Sequence, residues 1–222
     1  MAQQRSSLRV EGGDDLHAIL HLLIRNGIDY GQQQRPSWFP LIEEVKGGKT
    51  GVLDNVERLV RASSNGRIGF VLDADDSVRD TWRAMMSRLR QVGLDPPPAV
   101  PPPGFVGDSV EYSARVGVWL MPDNQQEGEH GEGTLERFLE TLVQEADPLL
   151  PHAREATRRA KTDHGASYSD GDVRKAVLHA WLAWQREPGL PYGTAIKARY
   201  FRHDSPVAES FVAWFRRVFE GG

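Results

Sequence analysis

The sequence of 222 residues contains no cysteine. Disulfide bonds, thiolate zinc sites and a cysteine nucleophile are therefore excluded. The lack of cysteine agrees with a reducing compartment, and no apolar run approaches the roughly 18 residues that a membrane-spanning helix needs. We therefore expect a soluble cytoplasmic protein with no membrane partner.

A strong excess of one charge is also lacking, because 27 basic and 31 acidic residues give a net charge of -4. This balance argues against a general nucleic-acid coat. The charges are nevertheless unevenly placed, with 15 basic and 23 acidic residues in 1–150 but 12 and 8 in 151–222. An acidic, metal-binding first part and a basic last part that meets phosphates would produce this split. Ordinary variation of surface charge would produce it equally well.

Short apolar runs alternate with helical patterns along the first part of the chain. We predict strands at residues 7–10, 40–45, 68–72 and 116–120, and helices at residues 16–23, 54–62, 80–92, from 135, 173–185 and from 206. The repeated strand and helix order favours an α/β fold with a parallel sheet flanked by helices. We assign residues 1–150 to this core and residues 151–222 to a helical part packed on it. The proline-rich tract at 96–103 is expected to be an extended connection.

Acidic residues follow two of the predicted strands. Glu11 and Asp15 come after the first strand, and Asp73 and Asp75 come after the strand at 68–72. The carboxyl ends of parallel strands meet at one edge of a sheet, so we expect these side chains to lie together. Four carboxylates could not all stay ionised there unless a cation or a water-filled cleft compensated them. The sequence therefore predicts a divalent-metal site.

Two motifs resemble those of Toprim domains. Residues 10–15, Val-Glu-Gly-Gly-Asp-Asp, match a Glu-Gly-x-x-Asp opening, and residues 72–75, Leu-Asp-Ala-Asp, resemble the Asp-x-Asp motif. Further marks lie at residues 119–124, 134–139 and 180–185. The chain resembles a small bacterial Toprim-like family of uncharacterised function that is related to the OLD (overcoming lysogenization defect) nucleases. This resemblance extends from Leu8 to Phe219.

This resemblance implies hydrolysis of phosphodiesters in nucleic acid, DNA in preference to RNA, with Mg²⁺ or Mn²⁺. The implied metal ligands are Glu11, Asp15, Asp73 and Asp75, with Glu136 binding a second ion. Asp73 and Asp75, two residues apart on a strand, are expected to point to the same face. Glu11 serves either as a ligand or as a general acid or base.

Two lysines, Lys175 and Lys197, are candidates for holding the scissile phosphate. Each also fits a solvated lysine on a helix face. His17 and His21, one helical turn apart, have the spacing of paired metal ligands. They lack a third ligand, so we interpret them as surface or helix-packing histidines.

Departures from the family pattern argue against two Toprim activities, strand passage by topoisomerases and primer synthesis by primases. Asp76 stands where topoisomerases and primases have a glycine, and 222 residues leave no room for separate DNA-gripping domains. OLD nucleases are usually fused to an ATPase, whereas the sequence Gly-Lys-Thr at 48–50 has Glu43 where a phosphate-binding loop needs glycine. We therefore predict control by a separate ATPase partner, with a role in phage defence, and an oligomer is compatible with this scheme.

Two alternatives belong to other functional classes. The run Asp-Ala-Asp-Asp-Ser at 73–77 also resembles the first motif of haloacid-dehalogenase-type phosphatases, with Asp73 as nucleophile and Asp75 as acid or base. That family normally starts with this motif, and Glu11 would then be unexplained. The other alternative is a non-catalytic Toprim-like subunit that binds a partner or nucleic acid.

Overall fold

A five-stranded sheet forms the centre of the protein. The computed structural model describes residues 6–28, 35–125 and 133–220. Its strands are β1 (Ser6–Val10), β2 (Leu41–Glu44), β3 (Arg67–Asp73), β4 (Phe105–Ser109) and β5 (Ala114–Met121). They lie in the order β2-β1-β3-β5-β4, and all neighbours are parallel except the antiparallel pair β4 and β5. The predicted α/β class is therefore confirmed.

Helices cover both faces of the sheet. They are α1 (Gly13–Arg25), α2 (Gly48–Ala62), α3 (Val78–Gln91), α4 (Leu135–Thr141), α5 (Leu149–His164), α6 (Val173–Ala183), α7 (Tyr192–Lys197) and α8 (Pro206–Phe219), with a 3₁₀ turn at Asp170–Asp172. Within the described ranges, no helix is long and apolar enough to cross a membrane.

The two faces of the sheet carry separate hydrophobic clusters because side chains alternate along each strand. In β3, Phe70 and Leu72 face the cluster built with α2 and α3. Val71 faces the opposite cluster, which includes side chains of α1, α4, α6 and α8. Residues from both 1–150 and 151–222 thus contribute to one core cluster.

Helix α8 lies directly against the sheet, where glycines leave room for it. A Cβ at Gly117 in β5 would lie 2.3 Å from Val218 Cγ2, and one at Gly69 in β3 would lie 3.1 Å from Phe219 Cζ. Ser205 caps the helix, because its Oγ accepts a hydrogen bond from the Ala208 amide at 3.2 Å. The predicted start of this helix is confirmed.

Three elements were not predicted from the sequence. Strand β4 has the short sequence Phe-Val-Gly-Asp-Ser, which shows no sustained alternation of apolar and polar residues. Helix α5 buries only Leu150, Ala153 and Thr157, so its apolar stripe is weak. Helix α7 has six residues, too few for a clear helical period.

Candidate functional site

The carboxyl ends of β1 and β3 bring the first two acidic residues together. These strands are parallel neighbours, with Arg9 opposite Phe70. Glu11 directly follows β1, and its Oε1 accepts a hydrogen bond from the backbone amide of Asp73 at 2.8 Å. The predicted meeting of Glu11 and Asp73 at this sheet edge is therefore present in the structure.

Asp15 reaches the same edge from the first turn of α1. Its Oδ2 accepts a hydrogen bond from the Gly12 amide at 3.1 Å. A carboxylate at this position caps the helix and interacts favourably with the positive end of the helix dipole. The chain thus turns back after β1 and holds Asp15 beside Glu11.

Glu136 is brought in by contacts between the end of β3 and the start of α4. Asp73 Oδ1 accepts a hydrogen bond from the Leu135 amide at 3.0 Å. Asp75 and Gly133 exchange two backbone hydrogen bonds of 3.0 and 2.8 Å. These contacts fix the first turn of α4, in which Glu136 lies, next to the other carboxylates.

Burial and mutual repulsion raise the pKa values of three of the clustered carboxyls. The pKa of Glu11 is raised to about 7, mainly by burial and further by Asp15 and Asp75. Burial and the charge of Glu136 raise the pKa of Asp15 to about 6. Burial likewise raises the pKa of Asp73 well above its usual range, with added repulsion from Asp15, Glu11, Glu136 and Asp75. The five carboxyls therefore act as one electrostatic cluster, which we name the acidic cluster.

Asp75 is placed differently from what strand alternation predicts. Strand β3 ends at Asp73, so the two aspartates do not lie on one strand. Asp75 has a left-handed backbone with φ of 52°, and its carboxylate forms an ion pair with Lys49. The prediction that both side chains share one strand face was wrong, although Asp75 still adds its charge to the cluster.

Lys49 is a residue of the site that the sequence analysis missed. It is the second residue of α2, and its Nζ lies 3.2 Å from Thr81 Oγ1 besides contacting Asp75. Its positive charge lowers the pKa of Glu11, against the effect of burial. A lysine at the start of the helix after β2 was the available signal, but we considered it only as part of an incomplete phosphate-binding loop.

Tyr192, from α7, is a second residue that was missed. Its side chain is buried. Its pKa is raised by burial first, and then by the charges of Glu136 and Asp14. Nothing in the local sequence indicates this position, because α7 reaches the cluster through its packing against α1, a contact between elements far apart in the chain.

The lysines predicted to hold phosphate lie apart from the centre of the cluster. Lys175 Nζ is 3.9 Å from Asp14 Oδ2, and both side chains are about half exposed. Lys175 therefore lies at the rim. The charge of Lys197 lowers the pKa of His21, after the larger effect of burial. Lys197 thus lies beside His21, near the middle of α1, while Gly193 packs closely against His17.

The donor chemistry of the acidic cluster fits a hard divalent cation, since every candidate ligand is a carboxylate oxygen. The arrangement is not a finished metal cage. Within residues 6–28, 35–125 and 133–220, no group of three or more His, Asp or Glu side chains is placed to hold an ion as it stands. Glu11, Asp15 and Asp73 accept backbone hydrogen bonds, and Asp75 is paired with Lys49. Cation binding would therefore require some of these carboxylates to turn.

A Gly-rich acidic segment at residues 123–136, which leads from the end of β5 into α4, falls partly outside the described residues. Glu127, Glu129 and Glu132 belong to that segment. Asp123, at its start, accepts a hydrogen bond from the Gln125 amide at 3.0 Å.

The chain belongs to the DUF3226 family. The family model described as "Protein of unknown function (DUF3226)" matches residues 5–220, nearly the whole chain. No curated protein and no solved structure matches it.

Proposed function

We propose that this member of the DUF3226 family is a metal-dependent phosphodiester hydrolase, a nuclease of the Toprim and OLD type. The observation that carries the proposal is the gathering of Glu11, Asp15, Asp73 and Glu136 at the carboxyl ends of two parallel strands, where the pKa values of Glu11, Asp15 and Asp73 are raised. Strand ends of this kind are where open α/β sheets bind ligands. Strongly perturbed carboxyls in such a place are candidates for function.

Glu11, Asp15, Asp73, Asp75 and Glu136 would hold one or two Mg²⁺ or Mn²⁺ ions. A bound divalent ion polarises a phosphate oxygen and lowers the pKa of a water molecule. The protein's own part is to orient these carboxylates, and backbone amides do so for three of them, Asp15, Glu11 and Asp73.

Glu11 has two roles open to it in this reaction. Burial favours its protonated form up to about pH 7 when no cation is present, which suits a group that moves a proton near neutral pH. A cation would favour the ionised form and make Glu11 a ligand instead.

Two lysines would meet the substrate. Lys49 lies inside the acidic cluster and would bind a phosphate oxygen when Asp75 turns to a cation. Lys175, at the rim beside Asp14, would hold the phosphodiester chain. Both lysines would offset the repulsion between the carboxylates and a polyanionic substrate.

Cleavage by the purified chain tests the proposal. Plasmid, linear duplex, single-stranded DNA and RNA are incubated with Mg²⁺ or Mn²⁺, and DNA is the expected substrate. Asp73→Asn and Glu11→Gln should each lower the cleavage rate at least about a hundredfold. Asp108→Asn, which changes a carboxylate that is mostly exposed on β4, should keep wild-type activity. Equal cleavage by wild type and Asp73→Asn would refute the proposal.

We further propose that a separate ATPase partner controls the nuclease, as part of phage defence. The support is the resemblance to OLD nucleases together with Glu43, which stands where a phosphate-binding loop would need glycine. Co-purification with the product of a neighbouring ATPase gene should raise cleavage. The absence of such a gene, with full activity of the lone chain, would contradict this part.

A non-catalytic subunit is the second candidate, and one observation favours it. Glu11, Asp15 and Asp73 already accept hydrogen bonds from the backbone, and Asp75 has its own cation in Lys49. A protein of this kind should show neither cleavage nor stabilisation by Mg²⁺ or Mn²⁺. Asp73→Asn should then keep the biological effect of the wild type.

A further inference from the structure

A cavity of about 700 Å³ lies between α4, α5 and α6. None of its lining residues has a role in the proposed nuclease reaction. Five of its lining side chains are cationic: Arg137, Arg154, Arg158, Lys161 and Arg174. Two are anionic, Glu140 and Asp170. Among the described lining residues, cationic side chains therefore outnumber anionic ones, although the whole chain has a net charge of -4.

Three of these arginines converge on one buried carboxylate. The Glu140 side chain is only 2% exposed, and its Oε2 lies 3.4 Å from Arg137 Nη1 and 3.6 Å from Arg154 Nη2. Arg174 Nη1 contacts the same oxygen. One carboxylate thus positions three guanidinium groups from three different helices.

The other two cations lie further along α5. Lys161 pairs with Asp170 and lies 5.0 Å from the ring centre of Tyr168. Arg158 binds Glu155 through an exposed ion pair of 2.6 Å, and such exposed pairs contribute little and exchange readily with solvent. Arg158 and Lys161 thus extend the cationic lining of the cavity beyond the three arginines at Glu140.

The cavity and the acidic cluster are distinct places in the fold. Glu136 and Arg137 are neighbours in α4, yet the first belongs to the acidic cluster and the second lines the cavity. In α6, Arg174 lines the cavity while Lys175 reaches Asp14. A ligand in the cavity therefore need not involve the carboxylates at the strand ends.

We propose that this cavity binds phosphate groups. Guanidinium groups present several N–H donors in a plane that matches phosphate oxygens, and converging arginines are a common way to hold them. The volume lies in the range typical of sites for small organic ligands, so a nucleotide-sized molecule fits. The phosphates of a nucleic-acid strand offer the same chemistry.

Isothermal titration calorimetry of the full chain with inorganic pyrophosphate tests the proposal. EDTA in the buffer removes divalent metal, so pyrophosphate cannot bind through a metal ion in the acidic cluster. Wild type should bind, and Arg154→Gln should weaken binding roughly tenfold, since one charge-assisted contact is removed. Lys161→Gln should act in the same direction. Arg159→Gln is the matched control, because Arg159 lies on the same helix, pairs with Asp163 and does not line the cavity.

No binding of pyrophosphate by wild type, or equal weakening by Arg154→Gln and Arg159→Gln, would overturn the proposal. Loss of binding in Arg154→Gln with an unchanged melting temperature supports it and excludes misfolding as the cause. Competition with AMP and with a 12-nucleotide DNA identifies the source of the phosphate. A strand that binds at least about tenfold more tightly than AMP assigns the cavity to nucleic acid, and equal affinity assigns it to a nucleotide-sized ligand.

Discussion

At the scale of single residues, protonation of Glu11 makes the stability of the folded protein depend on pH. Its pKa in the folded protein is about 7, above the ordinary value of 4.5. The folded state therefore holds a proton that the unfolded chain releases between these two pH values. Stability contributed by this proton is fully present below about pH 4.5 and is lost as the pH rises through about 7.

Glu11→Gln should consequently stabilise the metal-free protein at pH 8, by about 1 to 3 kcal/mol. Gln keeps an oxygen that can accept the hydrogen bond from the Asp73 amide, and it carries no charge that must be buried. Urea unfolding in EDTA at pH 8 and at pH 5 measures the difference, and the gain should be much smaller at pH 5. Glu57→Gln, at an exposed position on α2, should change stability by less than about 0.5 kcal/mol. Destabilisation by Glu11→Gln at pH 8 would show that its charge is compensated.

Lys49 forms an ion pair with Asp75 in the acidic cluster. It should therefore compete with a divalent ion for this carboxylate. Lys49→Met is expected to bind Mn²⁺ several-fold more tightly than wild type, because Asp75 loses its ion pair and becomes free to turn. The same variant should cleave nucleic acid more slowly. Titration calorimetry with Mn²⁺ measures the affinity, and Lys46→Met, at an exposed position, is the control. Weaker binding of Mn²⁺ by Lys49→Met would instead show that this lysine organises the site.

At the scale of elements, the contact between α8 and the sheet depends on the lack of side chains at two glycines. Gly117→Ala would place a Cβ 2.3 Å from Val218 Cγ2, so α8 or β5 must shift. We expect a loss of about 1 to 3 kcal/mol in the free energy of unfolding. Gly171→Ala, where the nearest atom to the added Cβ is Ser169 Oγ at 3.7 Å, should be close to neutral. Urea unfolding of both variants makes the comparison, and equal stability would contradict the close packing.

The start of α4 shows how far an element can be predicted from its sequence. The sequence analysis predicts a helix from residue 135, and the structure shows that Thr134 caps it, because Thr134 Oγ1 accepts a hydrogen bond from the Arg137 amide at 3.3 Å. That Glu136 meets Asp15 could not be read from the pattern. The meeting depends on the backbone bridge between Asp75 and Gly133, two residues that lie far apart in the chain.

At the scale of the whole molecule, binding of a divalent ion should be linked to pH. Protons on Glu11 and Asp15, whose pKa values are about 7 and 6, must leave before a cation can bind. Mn²⁺ should therefore raise the melting temperature more at pH 8 than at pH 5.5. Asp73→Asn should abolish most of the rise, and Asp108→Asn should preserve it. A rise that is equal at both pH values would exclude the acidic cluster as the binding site.

The amino-acid sequence was enough to predict the α/β class, the buried strand at 68–72 and the position of Glu11 and Asp73 at strand ends. These features are local, since an apolar run and the acidic residue after it are neighbours in the chain. The folded structure was needed to show that Lys49 and Tyr192 lie beside the acidic cluster. It was also needed to show that Arg137, Arg154 and Arg174 converge on Glu140. Such groups come from separate helices, and their approach depends on how those helices pack, which no local period in the sequence records.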